Sequence, residues 1–142
     1  MASARLSLCI LIAILGCGSD KISTGPDRLV GTPYDLLIPA GFPPPSIPED
    51  NPLTVEGVAL GQRLFFDPIL SIDSTRSCAS CHQPQFAFSD QARFSRGVDG
   101  RTARNSMTLA NAAWMPALFW DGRAASLEDQ ALQPVIDADE MG

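Results

Sequence analysis

Histidine is almost absent from this 142-residue chain, which holds a single one, His82. A metal or cofactor site that needs two histidine ligands is therefore excluded within the chain. Cysteine is also scarce. Of the four cysteines, Cys9 and Cys17 lie in an N-terminal segment that we expect to stand outside the folded domain, which leaves Cys78 and Cys81. Structural zinc takes four Cys or His ligands, so these three remaining side chains disfavour a zinc site.

Basic side chains are few, with 10 Lys and Arg against 16 Asp and Glu, and the formal net charge is −6. Binding to a phosphate backbone needs a basic face. We therefore expect no nucleic acid among the partners of this chain. An acidic surface does not by itself identify a protein partner.

The N-terminal apolar run from Leu6 to Leu15 is too short to span a bilayer. It follows Arg5 and has the length of a signal-peptide core. The run ends in Leu-Gly-Cys, which resembles a bacterial lipobox, where the signal is cut before a cysteine that carries lipid. We expect residues 1–16 to be a lipoprotein-type signal peptide and Cys17 the lipidation site, which predicts a periplasmic protein anchored to a membrane surface. An ordinary secretory signal is the alternative.

Residues 78–82 read Cys-Ala-Ser-Cys-His, the attachment signature of a c-type haem. Cysteines three apart lie about one helical turn apart, so both sulfurs can reach the two vinyl groups of one porphyrin. His82 can then ligate the iron from the proximal side. Because His82 is the only histidine, it is the one candidate for histidine ligation. Export agrees with haem, since c-type attachment is completed outside the cytoplasm in bacteria.

Two other uses of Cys78 and Cys81 stay open. A pair at this spacing can form half of a zinc site or a thioredoxin-like redox pair. The redox pair is expected near a βαβ pattern, which the sequence does not show. With haem on these two cysteines, no structural disulfide is left in the chain, although an exported protein often has one.

The chain divides into a spacer and a domain. Eight of the 12 prolines lie between Pro26 and Pro52, and residues 43–45 are consecutive prolines, which favour an extended polyproline conformation. We expect residues 17–52 to form a spacer and an extended Pro-rich arm, with a disordered tether as the alternative. Four apolar side chains indicate that part of the arm is buried: Leu36, Leu37, Ile38 and Phe42.

Residues 53–142 are expected to form one mostly α domain. Thr54 is a plausible N-cap for a helix that runs to Phe66 and ends at Asp67-Pro68. Ser126 begins a second helix, which we expect to stop before Pro134. Residues 97–100 carry an Asp-Gly turn signal, and no alternating strand pattern or repeat is seen. The predicted fold is a cytochrome c-like haem domain with long loops.

Several short blocks between Pro39 and Gly142 resemble one known family. Besides the Cys-x-x-Cys-His run, these are Asn51 to Thr54, Leu60 to Pro68, Arg104-Asn105, Phe119 to Ala124, Ser126 to Glu128 with Gln130, and Glu140-Met141. The family is the bacterial di-haem cytochrome c peroxidases and their MauG-like relatives. The block that reads Phe-Trp-Asp-Gly-Arg-Ala is the most specific, because it stands downstream of one haem motif.

The resemblance implies reduction of hydrogen peroxide to water, with electrons from a small cytochrome or copper protein. It implies that His82 is the proximal ligand of the haem that reacts with peroxide, the peroxidatic haem, and that Cys78 and Cys81 carry its thioether links. Gln130 and Glu140 match the pair that faces the open side of this haem. A carboxylate there can move a proton between the peroxide oxygens, and an amide can hydrogen-bond the peroxide.

Two further roles are implied by the resemblance. Trp120 matches an aromatic side chain between the two haems, which suits an electron relay. Asn105 matches a ligand of a calcium ion between the two domains.

One departure from the family concerns the sixth haem ligand. Many members place a histidine in the loop that corresponds to residues 97–100, where it caps the iron until the other haem is reduced. This chain has no second histidine, so we expect an open, high-spin haem that needs no reductive activation. Met107, Met115 or Met141 as sixth ligand is the alternative.

A second departure concerns the C-terminal half of the family. That half carries a second Cys-x-x-Cys-His run, the electron-entry haem, and this sequence contains one such run only. We therefore expect the chain to be the peroxidatic portion of a longer di-haem protein or of a truncated gene. The alternatives are a mono-haem electron-transfer cytochrome and a MauG-like enzyme that oxidises a partner protein.

Overall fold

The computed structural model describes residues 31–142. Helices are its main regular elements, as predicted: α1 (Val55–Phe66), α2 (Cys78–Cys81) and α3 (Leu127–Ile136). Among the described residues, no helix combines the length and the apolar composition needed to cross a membrane. The predicted signal peptide, Cys17 and the start of the spacer lie outside the described residues, so these predictions stay predictions.

Helix α1 begins and ends where the sequence predicts. The Thr54 hydroxyl accepts a hydrogen bond from the Gly57 N–H at 3.0 Å, which satisfies one of the free donors of the first turn. The helix ends at Asp67, whose carboxylate accepts from the Ile69 N–H at 3.0 Å and so begins a 3-10 turn over Pro68–Leu70. This turn leads the chain toward α2.

Helix α3 begins as predicted but ends later than predicted. Ser126 caps it, since its hydroxyl accepts from the Asp129 N–H at 3.1 Å. We expected the helix to stop before Pro134, and this is wrong, because α3 runs through Pro134 to Ile136. Proline removes one backbone donor, and here the loss falls in the last turn of the helix. The extra turn carries the chain to Asp137 and so determines where Glu140 lies.

The segment around the Asp-Gly signal forms a small antiparallel hairpin. Strands β1 (Arg96–Gly97) and β2 (Gly100–Arg101) pair with Gly97 opposite Gly100. The Asp-Gly turn was predicted, but the strands were not, because two residues are too few for an alternating pattern. Gly100 has a φ of +105°, which glycine adopts without strain.

The described part of the arm, residues 31–52, contains neither helix nor strand. Its expected burial is wrong for several apolar side chains, and Leu37 is 90% exposed. The arm is held instead by a few specific contacts. The Trp114 indole N–H donates to the Pro43 carbonyl at 2.8 Å, and the Phe42 ring lies edge-on to Trp114 at 4.9 Å. Nearer the N-terminal end of the described arm, Thr32 donates to the Glu56 carboxylate of α1 at 2.9 Å through its N–H and its hydroxyl. The predicted arm is therefore attached to the domain by hydrogen bonds and the Trp114 contact rather than by burial of its apolar residues.

The apolar core of the described residues is very small. Its buried hydrophobic side chains are Leu118, Ala124 and Met141, exposed over 7%, 0% and 5% of their surfaces. Leu118 and Ala124 face each other across a tight turn, where the Leu118 N–H donates to the Ala124 carbonyl at 2.9 Å. The helices therefore do not pack on a continuous apolar interior; they surround a cavity.

We predict that Ala124→Leu lowers the free energy of unfolding by about 1 to 3 kcal/mol, because a larger side chain has no room at this fully buried position. Urea denaturation followed by tryptophan fluorescence measures the change. Ala125→Leu is the matched control, since Ala125 is the exposed neighbour. An equal loss in both variants would contradict the assigned core.

Candidate functional site

One cavity of about 630 Å³ lies in the middle of the domain. It collects side chains that are far apart in the sequence, from α2, the hairpin, the loop that follows it, α3 and the C-terminal turn. Every candidate of the haem site that the sequence analysis named within the described residues lines it: Cys78, Cys81, His82, Asn105, Trp120, Gln130 and Glu140. The alternative sixth ligands Met107, Met115 and Met141 line it as well.

Helix α2 places both cysteines at the cavity. It is a single turn in which the His82 N–H donates to the Cys78 carbonyl at 2.8 Å, and the Ser106 hydroxyl donates to the Cys81 carbonyl at 2.6 Å. Burial raises the pKa of both thiols, and for Cys81 the nearby Asp90 and Glu140 raise it further. Redox-active cysteines have lowered pKa values. The direction of these shifts therefore argues against the redox-pair alternative.

The orientation of His82 is determined by one hydrogen bond. Its Nδ1 lies 2.9 Å from the Phe88 carbonyl oxygen. A carbonyl only accepts, so Nδ1 must donate its proton, and the neutral ring then keeps its lone pair on Nε2. Ligating histidines in proteins are commonly held in this way, with the second ring nitrogen bonded to a carbonyl or carboxylate. His82 is thus prepared to bind a metal through Nε2.

The turn after His82 supplies this carbonyl. Ala87 and Phe88 have φ values of 53° and 57°, in the left-handed region that costs a non-glycine residue of order 1 kcal/mol or more. Two backbone hydrogen bonds hold the turn, from the Phe88 N–H to the Gln83 carbonyl at 2.9 Å and from the Gln83 N–H to the Ser89 carbonyl at 3.0 Å. The Phe65 ring of α1 contacts the Phe88 ring at 6.1 Å. The left-handed turn therefore directs the Phe88 carbonyl toward His82, at the cost of local backbone strain.

Glu140 lies in a C-terminal turn that the hairpin holds in place. The Val98 N–H donates to the Glu140 carbonyl at 3.0 Å, and the Ile72 N–H donates to the Met141 carbonyl at 2.8 Å. A side chain at Gly97 would overlap the Asp139 carbonyl, so the close approach requires glycine. Burial raises the pKa of the Glu140 carboxyl above 4.5, and the charge of Asp137 raises it further.

Trp120 belongs to a tight turn whose charges are paired. Arg123 donates to the Asp121 carboxylate at 2.9 Å and lies over the Phe119 ring at 3.4 Å from its centroid. Arg104 reaches the same carboxylate at 3.3 Å. Hydrogen bonding from Arg123 holds the pKa of Asp121 below its usual value. The turn keeps Trp120 at the cavity, with 57% of its surface exposed.

Asn105 contacts Trp120 through its backbone. The Trp120 indole N–H donates to the Asn105 carbonyl at 2.9 Å. Residues 31–142 contain no group of three or more His, Cys, Asp or Glu side chains that could hold a metal ion. The calcium ligand proposed for Asn105 remains a prediction.

The cavity fits a covalently held haem in three respects. Its volume lies in the range of about 300 to 1,000 Å³ that is typical of cofactor sites. Two thiols and an oriented imidazole share its wall. Arg76 adds a positive charge to the wall, and its side chain makes no ion pair within residues 31–142, so it is available to an acidic group of the cofactor.

The sequence analysis missed three groups that shape this site. The Phe88 carbonyl had no sequence signal, because Ala-Phe does not predict a left-handed turn. Gly97 was part of a loop with an Asp-Gly signal, but its contact with Asp139 spans 42 positions of the chain and has no local signature. Arg76 stands two residues before Cys78, and this proximity to the haem motif was the one available clue.

Comparison with known proteins agrees with this geometry. The family model described as di-haem cytochrome c peroxidase matches residues 55–142. The cytochrome-c peroxidase IdrP1 of Pseudomonas sp. (strain SCT) is 39% identical over 127 residues, which are 89% of this chain and 32% of that protein. The methylamine utilization protein MauG of Methylophilus methylotrophus is 45% identical over 101 residues, 69% of this chain and 30% of that protein.

A solved structure shares the fold. It is described as a MauG-like protein associated with microbial copper homeostasis, with a TM-score of 0.72 and 41% identity over 77% of this chain and 32% of that chain. This chain therefore spans about a third of the length of the relatives that it matches.

We predict that Gly97→Ala lowers the free energy of unfolding by about 1 to 3 kcal/mol, because the added methyl group must displace the Asp139 backbone. The amide of Val98 should lose protection from hydrogen exchange, since its acceptor, the Glu140 carbonyl, moves with that backbone. Gly61→Ala is the control. A side chain at this helical position meets nothing within 4 Å, and stability should rise. Unchanged protection of Val98 in Gly97→Ala would contradict the assigned contact.

Proposed function

Because this chain belongs to the di-haem cytochrome c peroxidase family, we propose that it carries the peroxidatic haem of a longer enzyme that reduces hydrogen peroxide to water. Cys78 and Cys81 hold the haem through thioether bonds, and His82 ligates its iron. The observation that supports this most is the shared cavity, whose wall contains these three residues together with Gln130 and Glu140.

When bound, the haem supplies the redox chemistry for cleavage of the peroxide O–O bond. The residues of the chain hold and orient it. His82 offers Nε2, since Nδ1 is engaged with the Phe88 carbonyl. The same hydrogen bond fixes the tautomer and the orientation of the ring, which prepares it as a ligand.

Glu140 acts in this proposal as the acid–base group. Its carboxylate accepts the proton of the peroxide oxygen that stays in the site and returns it to the oxygen that leaves as water. Burial raises the pKa of Glu140, so the group is a better base than an exposed carboxylate and holds its proton closer to neutral pH. A carboxyl whose pKa is raised loses its proton-accepting form as the pH falls through that raised value.

Gln130 and Trp120 complete the site. Gln130 lies on α3 and lines the cavity, where its amide is suited to donate a hydrogen bond to the peroxide. Reduction of one peroxide to two waters consumes two protons and two electrons. We propose that the electrons come from a small cytochrome or copper protein. They would reach the site through a second haem, which members of the family carry in their C-terminal half. Trp120 lines the cavity and is largely exposed, so it offers a route for those electrons.

A MauG-like oxidation of a partner protein is the second candidate. The chain is as similar to proteins named MauG as to proteins named cytochrome-c peroxidase. The exposed Trp120 serves this candidate as well as the first, because electrons from a bound partner protein can pass through this ring. Steady-state turnover of peroxide with a reduced small donor protein supports the peroxidase. Peroxide-dependent oxidation of a partner protein's side chains, without such turnover, supports the second candidate.

We also propose that the protein is exported and anchored to a membrane by lipid on Cys17. The proposal rests on the lipobox-like run at Cys17 and on the haem motif, since c-type haem is attached outside the cytoplasm. Mass spectrometry of the N-terminal peptide from membranes tests it. An unmodified peptide that begins elsewhere would contradict the lipid anchor.

We predict that Glu140→Gln lowers the rate constant for reaction of the haem-loaded protein with peroxide by about 10² to 10⁴, because the amide accepts no proton. Stopped-flow spectroscopy measures the rate. In the parent protein the rate should fall as the pH is lowered, and the midpoint of this decrease should lie above 4.5, the ordinary pKa of a glutamate. The decrease should be missing from the variant.

The matched control for this prediction is Glu128→Gln. Glu128 is an exposed carboxylate on α3 that accepts a hydrogen bond from Asn51 at 3.0 Å and does not line the cavity. Its replacement should leave the peroxide rate unchanged. If Glu140→Gln keeps both the rate and its decrease in acid, Glu140 is not the acid–base group.

We predict a high-spin ferric haem, since the chain offers no second histidine as sixth ligand. Electronic absorption and EPR spectra of the haem-loaded protein decide this. A purely low-spin signal with a methionine charge-transfer band would contradict the open site and favour the mono-haem electron-transfer alternative, because methionine ligation closes the iron to peroxide. Met107, Met115 and Met141, which line the cavity, would then be replaced one at a time to find the ligand.

A further inference from the structure

Arg76 is a half-buried cation that the peroxide chemistry does not use. Its side chain lines the cavity, and its Nε is buried without a hydrogen-bond partner. A guanidinium stays charged at any ordinary pH. A buried donor destabilises the fold when it is left unpaired, and more so when it is charged.

The backbone holds Arg76 firmly at this place. Its N–H donates to the hydroxyl of Ser71 at 3.2 Å, and Ser71 is one of the two buried polar residues of the described part. The same hydroxyl accepts from the Thr75 N–H at 3.1 Å and donates to the Asp73 carboxylate at 3.0 Å. The hydrogen bonds of this loop therefore fix the backbone position from which the Arg76 side chain projects.

No carboxylate of residues 31–142 pairs with Arg76. The ion pairs found in this part of the chain are formed by Arg104 and Arg123, and both use Asp121. Within the same residues, Arg96 also lines the cavity without a carboxylate partner, but it lies on the hairpin, whereas Arg76 stands beside the haem motif. The guanidinium of Arg76 is therefore the cation at the cavity wall that is best placed to meet an acidic group near Cys78.

We propose that Arg76 anchors one of the two propionate carboxylates of the haem. Arginine binds carboxylates through two parallel N–H donors, and its fork geometry suits a propionate. The distance is short enough, because Arg76 lies two residues before Cys78 and the chain spans at most about 7 Å over two residues. The inference rests on the proposed haem attachment, and it names a positioning residue of the same site.

Removal of the guanidinium should change the redox behaviour of the haem in a defined direction. Without Arg76 the propionate keeps its proton to a higher pH, by about 1 to 3 pH units. The inflection in a plot of midpoint potential against pH should therefore move upward by that amount in Arg76→Gln. Above the inflection the potential should be lower than in the parent, because the propionate charge is no longer compensated.

Spectroelectrochemical titration of the haem-loaded chain across pH measures this inflection. Arg63→Gln is the matched control, since Arg63 is an exposed arginine of α1 that does not line the cavity, and it should leave the inflection in place. An inflection of Arg76→Gln that coincides with that of the parent would overturn the proposal. The titration uses no peroxide, so it can be carried out and interpreted even if the proposed peroxidase activity is not found.

A second variant covers the case in which Arg76→Gln does not attach haem. Arg76→Lys keeps the positive charge but replaces the planar fork with a single ammonium group. Resonance Raman spectroscopy reports hydrogen bonding of the propionates through their bending bands. We expect one of these bands to shift in Arg76→Lys and both to stay in place in Arg63→Gln. Propionate bands of Arg76→Lys identical to those of the parent would overturn the proposal.

Discussion

The cavity is the constraint on which the rest of this domain depends. Only three apolar side chains are buried in the described residues, while side chains from five segments line a cavity of about 630 Å³. Burial of apolar surface is the main force that stabilises a fold, and here little of it is provided by side chains alone. The haem that we propose on Cys78 and Cys81 would supply the missing apolar surface, so its attachment and the folding of the domain are expected to be linked.

The charges around the cavity fall into three groups with different roles. Arg104 and Arg123 neutralise Asp121 and stiffen the turn that carries Trp120. Glu140 is half-buried, and this burial raises the pKa of its carboxyl, so the proton is retained to a higher pH. Arg76 lines the cavity without a carboxylate partner among residues 31–142, which suits the proposed anchoring of a haem propionate. The three groups lie on separate segments of the chain, although the charge of Arg123 also acts on Glu140.

Local features of the fold could be predicted from the sequence, while contacts between distant segments could not. The cap at Thr54, the end of α1 and the start of α3 follow from short-range chemistry and are confirmed. The left-handed Ala87 and Phe88 have no residue signature, because their strain is held by hydrogen bonds to Gln83. The candidate residues were found through resemblance to a family. From polarity alone, Gln130 and Glu140 would have passed for ordinary surface residues.

The bond between the hairpin and the C-terminal turn has a mechanical consequence. Gly97 lies against the Asp139 backbone, and the Val98 N–H donates to the Glu140 carbonyl, so the hairpin and the C-terminal turn touch at two points. A displacement of the hairpin at its exposed tip, Asp99, therefore shifts the backbone that carries Glu140. The position of the Glu140 side chain at the cavity thus depends on the hairpin as well as on its own turn.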